Sequence, residues 1–255
     1  MLRAHSLLWH YLWIAPNTLL LALGLVLWKR GLAKRYPAFL AFAVLSAISE
    51  LVVYTADIIP SVDPWTFWRV DWVSVLVVGL LKFALIGEVF ALVFGSYASL
   101  ASLGKGLIRG VGVALVFAAA VLAAYAPRDG RFGIISGAHL LEQAIQMIEV
   151  GLLVFICAFS YYFRLSWGKS LFGIIMGLGI SSCFHVAVLA FTNSGLLDSR
   201  RILLVFLSMA TYHVCVLIWF YYLLVPTKTT VSAAVPLPEN NLEVWNRELE
   251  RLVQP

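Results

Sequence analysis

Seven apolar runs, each about twenty residues long and nearly free of charge, constrain this chain more than any other feature. They fall at 11–28, 38–59, 73–97, 107–126, 138–163, 170–191 and 201–225. At 1.5 Å of rise per residue, each run as a helix reaches across the roughly 30 Å of hydrocarbon in a bilayer. No water is present there to pair with backbone N–H and C=O groups, so a spanning segment must satisfy them within a helix or a closed barrel. The runs are continuous rather than alternating every second residue, which selects helices. Composition agrees: 62% of the 255 residues are hydrophobic, 12% are charged and the mean hydropathy is +0.93, outside the range of a water-soluble domain. The sequence predicts an all-α membrane protein, with a bundle of seven transmembrane helices over residues 1–225 and a separate polar segment at 226–255.

Charge sets the expected orientation. Lys29, Arg30, Lys34 and Arg35 follow the first run, whereas only Arg3 precedes it. The positive-inside rule then keeps the N-terminus outside and leaves the C-terminus cytoplasmic, in the cell membrane. Over all connecting segments this orientation puts nine Lys or Arg inside and six outside. No small-x-small cleavage site follows the first run, so it reads as an uncleaved span rather than a signal peptide. Trp9, Trp13, Trp65, Trp68 and Trp72 are expected in an outer interfacial belt, and Trp28, Tyr161, Tyr162, Trp167, Tyr221 and Tyr222 in an inner one. The connection DIIPSVDPWTFWRVDW, between the second and third runs, is expected to lie as a short lid on the outer surface.

The net charge of +5 does not imply a nucleic-acid partner, because the basic residues sit singly or in pairs at the ends of apolar runs. Cys157, Cys183 and Cys215 fall inside spans and form no CxxC or Cys/His ligand spacing, so neither a disulfide nor a structural zinc site is expected. No P-loop, GxGxxG, GxSxG or kinase signature occurs, and the residues call for no cofactor. Gly173-x-x-x-Gly177 and Gly106-x-x-x-Gly110 have the spacing that lets helices approach closely, which reads better as packing within the bundle than as a dimer seam. In the tail, Leu242, Trp245, Leu249 and Leu252 share one helical face and Glu243 can pair with Arg247. Residues 242–252 are therefore expected to form a short amphipathic helix, resting on the inner leaflet or docking a cytoplasmic protein.

Function is hinted at only by ionisable residues inside the spans, where a charge costs roughly 2.5–3.5 kcal/mol at a helix centre. Glu50, Tyr54 and Asp57 form one stripe at i, i+4 and i+7. His139, Glu142, Gln146 and Glu149 form another at i, i+3, i+7 and i+10. Lys82 and Glu88 come from the third run, Ser181 and His185 from the sixth, and Ser208, Tyr212 and His213 from the seventh. The stripes are expected to line a polar cavity opening outward. Glu50, Glu88, Glu142 and Glu149 against Lys82 leave a net formal charge of −3, which demands protonation, shared protons or a bound cation.

Interhelical hydrogen bonding is the ordinary role of a single buried polar residue, but unbalanced negative charge is a poor glue. The expected ligand or proton site therefore comprises Glu50, Tyr54, Lys82, Glu88, Glu142, Gln146, Glu149, His185, Tyr212 and His213. A sensor or receptor-like module acting through a partner fits this set best. A proton-coupled transporter or permease is the alternative, although no internal repeat is evident. An intramembrane metal-dependent hydrolase built on His139, His185 and His213 ranks lowest, since no HExxH occurs. The last span holds no Lys, leaving the retinal Schiff-base position of rhodopsin-type proteins unfilled, and Gly95-Ser96-Tyr97 does not resemble the acidic-arginine motif of G-protein receptors.

Overall fold

The computed structural model describes residues 5–94, 106, 109, 110, 113, 117, 131–162, 167–193, 201–225 and 247. Among them the regular structure is helical throughout. The helices are α1 (Leu7–Lys29), α2 (Pro37–Ile58), α3 (Pro64–Phe94), α4 (Arg131–Tyr162), α5 (Lys169–Asn193) and α6 (Arg201–Leu224). Each contains a stretch long and apolar enough to cross a membrane, six in all. Apart from Arg109, Gly110, Val113 and Phe117, which are helical, the expected span at 107–126 lies outside the described residues, as does the expected helix at 242–252 apart from Arg247.

Local chemistry explains where the helices begin. Ser6 Oγ accepts from Trp9 N at 3.3 Å and caps α1. After α1 the chain turns at Gly31, whose φ of 71° lies in the left-handed region that costs glycine nothing. Asp63 caps α3: its carboxylate accepts from Trp65 N and Thr66 N at 3.0 Å and from the Thr66 hydroxyl at 2.6 Å. The Thr66 hydroxyl bond, followed by the Thr66 backbone bond, holds the Asp63 carboxyl below its ordinary value of 3.8. With Pro64 in the first helical position, α3 starts nine residues before the expected 73, and Trp65, Trp68 and Trp72 belong to it. The expected surface lid is therefore the first turns of a spanning helix. Asp63-Pro64 was the signal, a cap residue followed by a helix-starting proline.

The start of α2 is capped from a distance. Tyr36, in the N-cap position, makes no side-chain bond, and Glu88 of α3 instead accepts from Ala38 N at 3.1 Å and from Phe39 N at 3.0 Å. A carboxylate on free N–H groups at a helix start also complements the dipole. Glu88→Ala is expected to cost about 1–3 kcal/mol in detergent unfolding, with Glu88→Gln recovering part of it through its remaining oxygen. An unchanged midpoint for the alanine variant would remove this role.

Packing follows a closed ring in which α1 touches α2 and α6, and α2–α3, α3–α4, α4–α5 and α5–α6 are the other neighbours. Paired residues give the directions. Ser49 meets Ser74 and Phe39 meets Glu88, so α2 and α3 are antiparallel. His10 meets Tyr54 while Gly24 faces Val44, so α1 and α2 are antiparallel too. Gly79 faces Ile145, Lys82 meets Glu149 and Phe94 meets Phe159, so α3 and α4 run parallel. Trp9 meets Phe206 and Arg30 reaches the Leu224 carbonyl, so α1 and α6 are also parallel. The start of α1 and the end of α6 thus lie at opposite ends of the bundle.

Two close approaches set the spacing of α5 and α6. Gly173 lies against the Tyr222 ring and Gly177 against the Trp219 indole, leaving no room for a Cβ at either position. Trp219 is 1% exposed, donates to the Ile174 carbonyl at 3.3 Å, and packs edge-on with Phe39 at 5.6 Å and Phe42 at 5.7 Å. This aromatic cluster closes the bundle interior toward the end at which α2 starts.

A central cavity at a buried ion pair

A cavity of about 270 Å³ lies inside the ring and is lined by residues from all six helices. Phe42 and Trp219 belong to its wall, near the aromatic closure. Toward the other end the wall carries Trp13 and Asn17 of α1, Ser46 and Glu50 of α2, and Lys82 of α3. Gln146 of α4, Ser181 and His185 of α5, and Ser208 and Tyr212 of α6 complete the polar surface.

Of the sequence-predicted residues, the structure brings Glu50, Lys82, Gln146, His185 and Tyr212 to this one cavity. Glu149 stands behind it, fully buried, and accepts from Lys82 Nζ at 3.0 Å. This pair crosses from α3 to α4 one turn beyond the Gly79–Ile145 approach, which brings the two backbones close enough for the bond. A lysine inside a membrane bundle is tolerable because Glu149 neutralises it where water cannot.

The other predicted residues have different surroundings. Glu88 caps α2. The Tyr54 hydroxyl shares a hydrogen bond with His10 Nδ1 at 3.0 Å, and its ring packs on Trp13 at 5.4 Å, behind the wall. His213 lies against Tyr11, with ring centroids 5.8 Å apart. The side chains of His139 and Glu142 lie outside those described. Among the described residues no three His, Cys, Asp or Glu come together in a metal-binding group.

Most donors on the wall are already committed. The Tyr212 hydroxyl donates to Asn17 Oδ1 over a long 3.5 Å, and Asn17 Nδ2 donates to the Trp13 carbonyl at 2.8 Å. Ser208 Oγ donates to the Leu204 carbonyl at 3.0 Å. His185 Nδ1 lies 3.0 Å from the Ser181 carbonyl and donates its proton there. Acceptors remain: Gln146 Oε1 and Glu149 Oε1 are buried without a hydrogen-bond partner, while the Ser46 hydroxyl lies beside the Tyr212 hydroxyl. A buried polar atom left unpaired costs about 1–3 kcal/mol, so Gln146 Oε1 on the wall and Glu149 Oε1 behind it are a feature that calls for compensation.

Asn17, Ser46 and Trp219 were missed as wall residues. Asn17 had a readable signal, a lone amide beside Pro16 inside an apolar run. Trp13 was expected in the interfacial belt and instead reaches the cavity.

Fold and site together define the class: a multi-pass helical membrane protein whose helices surround a charged central cavity. The chain matches no protein-family model, no curated protein and no solved structure.

Proposed function

We propose that this chain is a seven-crossing receptor or sensor module of the cell membrane, which binds a small ligand in the central cavity and signals through a partner. The observation that carries the reading is that one charged cavity touches all six described helices. An occupant that pairs with the wall changes the relative energies of bundle packings, which is what coupling ligand to output requires.

Helix directions support the seventh crossing. Six alternating crossings return a chain to the side from which it started, yet the start of α1 and the end of α6 lie at opposite ends. The parallel directions of α3 and α4 support an extra crossing between Phe94 and Arg131, and the apolar run 107–126 is the segment of the sequence long enough to make it. Positive charge then favours an outer N-terminus and a cytoplasmic C-terminus. The amphipathic segment 242–252 is the docking element for a cytoplasmic protein.

The test is a small-molecule screen on the full chain in nanodiscs, read by thermal unfolding and repeated on the cavity-filling variants Ser46→Phe and Ser208→Phe. Compounds that raise the wild-type midpoint and leave both variants unmoved support the reading. If no compound acts, or if all act equally on wild type and variants, the reading falls. Saturable uptake of the active compound by proteoliposomes replaces it with a permease.

A further inference from the structure

Positive charge collects at one end of the bundle without an answering acid. Lys29 and Arg30 close α1, Lys34 and Arg35 follow in the turn to α2, and Lys169 opens α5. They share the end at which α1 and α6 finish, because Arg30 reaches the Leu224 carbonyl and Gly173 lies against Tyr222. Among the described residues the acid at this end is Glu88, and both its oxygens accept from the start of α2. None of these cations forms an ion pair with a described residue.

Two of them are fixed in place. Arg30 Nη1 donates to the Leu224 carbonyl at 3.0 Å, and Lys169 Nζ sits over the Tyr221 ring, 5.2 Å from its centroid. Tyr221 and Leu224 belong to the last turn of α6, which packs between α1 and α5, so each neighbour brings one cation to that turn. The Arg30 contact also offsets the partial negative charge of the α6 end. Arg30 keeps most of its guanidinium donors, and Lys169 makes no hydrogen bond with a described residue, so both have N–H groups left for an anion. The surface leading from here along the same helices is apolar: Leu25 and Trp28 of α1 and Leu217 of α6 are exposed.

We propose that the end of α6 binds an anionic phospholipid, whose phosphate is shared by Arg30 and Lys169, with the Tyr221 hydroxyl as a further donor and its chains along Leu25, Trp28 and Leu217. A lipid meets both parts of this surface, whereas a free anion or an acidic protein segment uses the cations alone. The site lies on the far side of the Trp219 cluster from the cavity and does not rest on the receptor reading. Because the lipid joins α1, α5 and α6 in the folded bundle, its binding raises stability.

The experiment takes the full chain from nanodiscs holding equal parts of phosphatidylglycerol and phosphatidylcholine, counts the retained lipids by native mass spectrometry, and measures thermal midpoints in nanodiscs of each composition. Phosphatidylglycerol is expected to be retained about twentyfold over phosphatidylcholine and to raise the midpoint. Arg30→Gln and Lys169→Gln should each lower that preference about fivefold, and the double variant should abolish it. Lys34→Gln removes the same charge from the turn before α2 and should change the preference by less than about twofold. Cooperative melting of each variant in phosphatidylcholine alone controls for folding. Absence of a preference for phosphatidylglycerol, or an equal loss in Lys34→Gln, overturns the site, the latter in favour of diffuse attraction. A midpoint shift in phosphatidylcholine nanodiscs reproduced by inorganic phosphate makes the occupant a free anion, and one reproduced by a polyglutamate peptide makes it an acidic protein segment; either result overturns the lipid.

Discussion

Lys82→Met alone is expected to destabilise the bundle by about 3–5 kcal/mol, the cost of stranding a buried charge. The carboxylate left behind belongs to Glu149, which is fully buried, has Lys82 at 3.0 Å and has its other oxygen already unpaired. Adding Glu149→Leu should return most of that loss, because two apolar side chains replace two charges that had to be desolvated. Reversible unfolding in mixed micelles across the four members of this double-mutant cycle measures the coupling directly. Strict additivity of the two changes would show that the pair is not energetically joined. Pairing Lys82 instead with Glu50→Gln tests the neighbouring acid, and the Glu149 cycle is expected to give the larger coupling, because the ion pair joins Lys82 to Glu149.

A second large effect is expected at Gly177, with an opposite sign two residues away. In a helix interior Gly→Ala ordinarily gains up to about 1 kcal/mol from the lower entropy of the unfolded chain. At Gly179 a Cβ meets nothing within 4 Å, so Gly179→Ala should stabilise the bundle by about 0.5–1 kcal/mol. At Gly177 the same methyl drives into the Trp219 indole, which is pinned by its bond to the Ile174 carbonyl and by Phe39 and Phe42. Overpacking of this kind costs about 1–3 kcal/mol or more and outweighs the helical gain, so Gly177→Ala should destabilise and Gly177→Leu more so. Because Trp219 lines the cavity, these variants should also shift tryptophan emission and weaken ligand binding. Equal melting of Gly177→Ala and Gly179→Ala would remove the close approach from the account.

Much of the fold was legible because it follows from local rules. Apolar runs force helices in a medium without water, and four of the six described helices fall within a few residues of the runs read from the sequence, while α4 starts at Arg131, seven residues before the expected 138. The other departure, α3, starts nine residues early because Asp63 and Pro64 begin a helix that the hydropathy of its first turns does not mark. Stripes of polar residues were also legible, since helical periodicity puts i and i+4 on one face whatever the neighbours are.

The residues of the cavity were only partly legible for a related reason. Periodicity says which residues share a face, but not which way that face turns in the bundle. Tyr54 and Glu50 are one turn apart on α2, yet Glu50 lines the cavity while Tyr54 sits behind Trp13 against His10. Tyr212 and His213 are adjacent, and a 100° step sends one to the cavity and the other to Tyr11. Glu88 has the composition of a site residue and the location of a cap, because the start of α2 lies beside it and the cavity does not.

From its order of residues alone, this chain was bound to be helical and to lie in lipid, and to hide charged groups within its spans, because backbone hydrogen bonding and transfer free energy act on each segment separately. Which acid neutralises Lys82, which oxygens stay unpaired around the cavity, and which polar residues leave it were decided only by tertiary packing. Helix rotation and approach depend on contacts between distant segments, such as Gly177 on Trp219 and Gly79 on Ile145, whose energies no single stretch of sequence contains.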